Sequence, residues 1–186
     1  CGRDGRICVH FLSPKKGKHL MKSYTTRQIA LNGLVAGLYA AVTILTASFA
    51  YGNIQFRLAE ALCPLVAIEP SLTIGLTLGC LIANLFSTVS ALDIVVGTAA
   101  TLLGCLLTRY VKKTWLLPLP TILCNTLLVG AMLSAVLMPA AEFFKGLAVF
   151  GLEVGAGEAA VLYLLGVPLY QFMRKTALID RLLGRA

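Results

Sequence analysis

Residues 116–138 run from Leu to Met without one Asp, Glu, Lys or Arg. A small soluble domain has nowhere to bury such a run, whereas a helix crossing a bilayer needs about 20 consecutive apolar residues. The rest of the chain agrees. Of its 186 residues 58% are hydrophobic and only 13% charged, and the mean hydropathy is +0.85, against roughly 45–50% apolar in soluble domains. The residue-by-residue alternation of a membrane β-barrel is absent. The fold class expected is therefore all-α integral membrane protein.

Apolar segments separated by polar or turn-forming residues predict six spans, at about 28–50, 54–68, 70–86, 93–110, 115–138 and 146–172. The second is short for a membrane. Glu69-Pro70-Ser71 breaks the chain after it, because a proline disfavours helix at the residue before it and can open the next helix. Residues 1–20 read as a tag or upstream extension, disordered, since Met21 starts a basic lead into the first span. The domain expected is 21–175, followed by a cytoplasmic tail at 176–186.

The net charge of +8 would fit a nucleic-acid footprint if it were spread over a soluble surface. Instead, beyond the first twenty residues, the cations flank apolar spans. Lys22 and Arg27, then Arg109, Lys112 and Lys113, then Arg174 and Lys175 fall on one side only if there are six spans, and that side is expected to be the cytoplasm. Both termini then lie inside, and the loops around Asn53, Ser90 and Glu142 outside. Cys63, Cys80, Cys105 and Cys124 have no metal-ligand spacing and read as small buried thiols; His10 and His19 lie in the opening segment. No metal or cofactor is expected. The chain has no G-x-x-x-x-G-K-[ST] sequence and no nucleophile with a companion base, so it is not expected to be an enzyme.

Ionisable groups inside a bilayer are costly and mark function. The candidates are Arg57, Glu60, Asp93, Glu153 and Glu158, with Asn84 and Asn125 able to add amide contacts. Arg57 and Glu60 are three apart and could neutralise one another on a helix. Asp93 could cap its span. Counted from Lys145, Glu158 lies roughly 20 Å along the sixth span, near mid-membrane. Glu153 stands about 140° from it on a regular helix. A pocket lined by these groups favours a cation or a ligand rich in hydrogen-bond donors. On the first span Gly33, Ala36, Gly37 and Ala40 make a small-residue stripe of the kind that lets helices approach closely.

Four blocks in order carry a resemblance: Ile54-Gln-Phe-Arg57-Leu-Ala-Glu60, Gly75-Leu-Thr-Leu-Gly79-Cys-Leu-Ile-Ala-Asn84, Asp93-Ile-Val-Val-Gly97-Thr-Ala-Ala-Thr101 and Gly157-Glu158-Ala-Ala-Val-Leu-Tyr-Leu-Leu-Gly166. Across 21–175 the chain resembles the QueT family of queuosine-precursor transporters, substrate-binding (S) components of energy-coupling factor (ECF) importers. The resemblance implies a six-helix S component in a bacterial cell membrane that captures a 7-deazaguanine from outside. It also implies a transmembrane coupling protein and two ATPase subunits as partners. Ala36-x-x-x-Ala40, with Gly33 and Gly37, matches the pattern with which such components meet the coupling protein. Glu158, Asp93, Glu60, Arg57, Asn84 and Glu153 are then the expected substrate-binding residues. The same scaffold carrying another vitamin, or a membrane assembly subunit without a ligand, are the alternatives.

Overall fold

A computed structural model describes residues 25–46, 56–87 and 91–185; the expectations for residues 1–20, Lys22, Asn53 and Ser90 lie outside them. The described residues are helical and contain no strand. Helix α1 spans Thr26–Leu45, followed by a 3-10 helix at Leu58–Ala67, α2 at Leu72–Asn84 and α3 at Leu92–Thr108. Helix α4 spans Leu119–Leu137 and α5 Phe143–Val161. A π-helical turn at Leu162–Gly166 joins α5 to α6 at Val167–Thr176, and α7 at Leu178–Leu182 ends the described chain. Three helical stretches, Thr26–Leu45, Thr114–Leu137 and Ala140–Thr176, are long and apolar enough to cross a membrane, and three shorter apolar helices lie between the first two. Helical throughout its described residues, the chain is a membrane protein.

Local chemistry explains the boundaries. Thr25 and Gln28 form a reciprocal capping box that opens α1, with Gln28 N–H donating to Thr25 Oγ1 at 3.3 Å and Thr25 N–H to Gln28 Oε1 at 3.1 Å. The sequence reading takes 54–68 as a helical span; its described part is instead a 3-10 helix that begins at Leu58 and contains Pro64. A proline has no N–H to give and its ring crowds the carbonyl four residues back. The tighter winding, at about 2.0 Å per residue, also draws ten residues out to the reach of a longer α-helix. Pro168 has a similar effect on α6, where the preceding turn widens into the π form.

Small residues bring the helices together. A Cβ added at Gly79 of α2 would stand 2.7 Å from the Ala36 carbonyl oxygen and 2.8 Å from Tyr39 Cβ on α1, and Gly75 N–H donates to Asn32 Oδ1 at 2.7 Å. A Cβ at Gly130 of α4 would stand 2.8 Å from the Gly151 Cα of α5. At both crossings backbone meets backbone, the arrangement by which membrane helices gain van der Waals contact without a hydrophobic driving force.

One end of the bundle collects the cations. The α1 start, the break after the 3-10 helix, the end of α3 and the C-terminal helices meet there: Arg109, Lys112 and Arg174 border one cavity, and Arg27 lies against Leu182. The stretch expected to be a tail is docked. Ile179 and Leu183 are buried in the main core with Leu31, Val66 and Tyr170, and Arg185 reaches back to Glu69 Oε2 at 2.5 Å. Burial pushes the Glu69 carboxyl up, but hydrogen bonds from Ser71 and Arg185 outweigh it and hold the group below the usual carboxylate range. Apolar residues every three or four positions, Ile179 and Leu183, are what fasten this segment.

The α1–α2 crossing gives a paired test. Gly79→Val forces α1 and α2 apart and should destabilise the protein by about 1–3 kcal/mol. Gly33→Val, where an added Cβ meets nothing within 4 Å, should leave the melting temperature in detergent unchanged. Equal melting of the two variants would contradict the packing described.

Candidate functional site

Arg57, Glu60, Asn84, Asp93 and Glu158 are all buried, and each is positioned by a different constraint. The 3-10 helix carries Glu60 into the space between α1 and α3. There Oε1 accepts from the Tyr39 hydroxyl at 2.6 Å and the Thr101 hydroxyl at 2.8 Å, while Oε2 accepts from Cys63 Sγ at 2.8 Å. Three neutral donors thus stabilise a carboxylate that has been stripped of water. Arg57, just ahead of the same helix, does not pair with Glu60. Its Nη2 donates to Asn84 Oδ1 and lies 3.7 Å from Cys80 Sγ, while Nε and Nη1 are buried without a partner. Among the described residues the ion pairs are Glu142–Lys145 at 3.9 Å and Glu69–Arg185, so the neutralisation of Arg57 by Glu60 that their spacing allowed is not realised as direct contact.

Asn84 at the end of α2 donates onward to the Asp93 carbonyl oxygen at 3.1 Å. Asp93 sits in the first turn of α3, whose cap position is held by Ala91. Its Oδ2 accepts from Ser87 Oγ at 2.7 Å and its Oδ1 is buried and unpaired. Gly97, one turn on, faces all three groups: a Cβ there would stand 2.8 Å from Asn84 Nδ2, 2.9 Å from Asp93 Oδ1 and 3.3 Å from Arg57 Nη1. The two opposite orphans, one donor and one acceptor, therefore flank a space that only glycine leaves open.

Glu158 on α5 is fully buried. Asn125 of α4 donates to its Oε1 at 3.0 Å, leaving Glu158 Oε2 and Asn125 Oδ1 without partners. Glu60 and Arg57 are the charged groups that act on this carboxyl through space. Glu153 is half-buried with Oε2 unpaired. Since α5 is regular α-helix through both acids, Glu153 keeps its separation of about 140° from Glu158 and does not join the group.

The small-residue stripe on α1 divides into two faces. Ala36 and Ala40 are 8% and 7% exposed, and Ala36 abuts Gly79 of α2. Gly33 and Gly37 are exposed, and nothing lies within 4 Å of a Cβ added to either. The alanines thus turn inward, because Asn32 and Tyr39 of the same face are drawn to α2 and Glu60. Tyr39, Thr101, Cys63 and Cys80 were missed as polar partners. A tyrosine, threonine or cysteine within an apolar helix carries no charge to betray it, and the helical spacing of Tyr39 from Asn32 was the available sign.

Residues 29–175 match the family described as QueT transporter. The chain belongs to the QueT transporter family. All the groups above lie within the matched residues. Over 101 residues this QueT-family chain is 36% identical to the queuosine precursor transporter QueT of Lactococcus lactis subsp. cremoris (strain MG1363), a match that covers 51% of the chain and 59% of that protein. No solved structure gives a significant match.

The Glu60 contacts are testable without a ligand. Hydrogen bonds to a charged group are worth about 1.5–3 kcal/mol, so Tyr39→Phe, which removes one donor and almost no volume, should lower stability by that amount. Thermal melting in detergent reads it, and an unshifted transition would mean that Glu60 does not depend on the tyrosine.

Proposed function

We propose that this chain is the substrate-binding component of an ECF-type importer, taking up a queuosine precursor of the 7-deazaguanine type across a bacterial cell membrane. The observation that carries this reading is a set of buried polar atoms without partners: Glu158 Oε2, Asn125 Oδ1, Asp93 Oδ1, and Arg57 Nε and Nη1. Buried polar groups are nearly always hydrogen-bonded, and such exceptions call for an explanation. A guanine-like heterocycle supplies the missing halves. Its ring N–H and 2-amino group donate to Glu158 and Asn125, and its carbonyl oxygen accepts from Arg57. If all are ionised, Arg57 faces three acids, Glu60, Asp93 and Glu158, so an aminomethyl cation on the ligand would offset part of the excess negative charge, with Asp93 Oδ1 as acceptor. Glu60 differs in role from the other candidates: its acceptors are taken by Tyr39, Thr101 and Cys63, so it positions the site. Glu153 stands apart from the group. The name of the lactococcal relative supports the ligand class.

The transport reading adds six spans with both termini cytoplasmic, a coupling protein and two ATPase subunits that hydrolyse ATP, this chain being no enzyme. The gathering of Arg109, Lys112 and Arg174 at one end supports that orientation. For the coupling protein the open positions are Gly33 and Gly37. Gly33 borders an apolar groove of about 340 Å³ between α1 and α2, lined also by Ile29, Ala36, Ile74 and Leu78, and Gly37 lies one turn further along the exposed face of α1. Ala36 contributes by letting α1 approach α2 at Gly79, and Ala40 lies on the same buried face.

Two variants test this reading at separate points. Glu158→Gln puts an amide donor where the heterocycle also donates, and should weaken 7-deazaguanine binding about tenfold to a hundredfold in calorimetry while leaving the melting temperature unchanged or raised. A lower melting temperature with unchanged affinity would make Glu158 a helix bridge. Gly37→Trp should abolish uptake in cells and keep the affinity of the purified chain; loss of binding would place the glycine in the fold rather than at a partner.

A further inference from the structure

A second cavity, of about 610 Å³, opens at the cationic end, well away from the orphaned polar atoms. Arg109 and Lys112 come to it from the end of α3 and Arg174 from α6, and Asp180 is the acid on its border. None of the three cations has an ion pair among the described residues. Arg174 is steadied instead by the Tyr170 hydroxyl at 3.3 Å, and the Arg109 guanidinium lies 4.8 Å over the ring of Tyr110. The floor is apolar, formed by Ala67, Ile68 and Val111.

We propose that this cavity binds the phosphate of an anionic phospholipid. The shared chemistry is that of any phosphate-bearing anion: three cations outnumber one carboxylate, and guanidinium groups offer paired donors to phosphate oxygens. Two features select the lipid over a free anion. A small hydrated phosphate would leave the Ile68 and Val111 surface wet, whereas the glycerol and first acyl carbons of a lipid cover it while the headgroup meets the cations. Exposed Tyr110 also lines the cavity and exposed Trp115 follows three residues after Lys112 in the chain, aromatic residues of the kind that mark a membrane–water boundary. Basic pockets between membrane helices recognise anionic headgroups by this combination, with each Lys or Arg near the surface worth about 1 kcal/mol, or about fivefold in affinity. The proposal needs only that this end meets a membrane surface and stands apart from the identity of the transported substrate.

The test uses the full chain in an uncharged detergent, titrated with dihexanoyl phosphatidylglycerol, dihexanoyl phosphatidylcholine or inorganic phosphate, and followed by native mass spectrometry and thermal melting. Expected is a saturable adduct of one phosphatidylglycerol per chain with a raised melting temperature, and neither effect from phosphatidylcholine. Lys112→Gln should weaken phosphatidylglycerol about fivefold, and Arg109→Gln with Lys112→Gln about thirtyfold. Because both side chains are exposed, the variants should melt like the parent when no lipid is added. Equal stabilisation by inorganic phosphate would overturn the lipid in favour of a free anion. Equal binding of phosphatidylcholine, or undiminished phosphatidylglycerol binding by the double variant, would overturn the site.

Discussion

Glu60 is a carboxylate held inside a membrane protein by neutral donors, and the arrangement of the neighbouring helices follows from satisfying it. Tyr39 reaches it from α1, Thr101 from α3 and Cys63 from within its own 3-10 helix. A bare carboxylate in a low-dielectric interior costs several kcal/mol, so none of these contacts is dispensable and the three elements cannot slide past one another. Arg57 extends the same constraint to α2 through Asn84, which in turn reaches α3 at the Asp93 carbonyl. A segment too short to cross a membrane by itself thereby becomes the part to which α1, α2 and α3 are fastened.

That division separates polar atoms that build from polar atoms that wait. Glu60 has its acceptors filled from within the protein. Glu158, Asn125, Asp93 and Arg57 each have one atom or more filled and another left over. The filled atom fixes the side chain's direction and, on the transport reading, the leftover one is the part offered. A carboxylate with both oxygens satisfied internally gains nothing from a ligand. One held by a single bond, as Glu158 is by Asn125, is pre-oriented and still able to accept, which lowers the ordering cost of binding.

Much of this was legible in the sequence because the bilayer penalises charge so heavily. Arg57, Glu60, Asp93 and Glu158 stood out against apolar surroundings, and the cations beside the apolar segments announced the end that the structure gathers around Arg109, Lys112 and Arg174. Less legible were features that cost the sequence nothing to conceal. Tyr39, Cys63 and Thr101 suit an apolar helix whether or not they donate to an acid. The 3-10 winding of Leu58–Ala67 depends on Pro64 together with the anchoring of Glu60, a tertiary effect. The faces of α1 could not be told apart by small-residue spacing, since Ala36 and Gly37 satisfy it equally and only the pull of Asn32 and Tyr39 decides which turns inward. Ile179 and Leu183 had the spacing of a buried face, but the basic residues around them read as a tail.

The α1 helix has its two faces committed to different tasks. Its inner face is fixed three times, by Gln28 donating to Glu69, by the Asn32–Gly75 bond to α2 and by the Tyr39–Glu60 bond to the 3-10 helix. Its outer face, at Gly33 and Gly37, is open. Gly37 and Tyr39 stand two residues apart in the same helix, on its outer and inner faces, so a displacement of Glu60 is carried to the outer face without passing through a loop. On the transport reading, the ligand groups Arg57 and Asp93 and the partner-facing glycines are then joined by two short steps, Arg57 to Glu60 along the 3-10 helix and Glu60 to α1 through Tyr39. Binding at one can bias the other only to the extent that this link stays intact, which makes the tyrosine hydroxyl a connection between site and surface as well as a support for the buried acid.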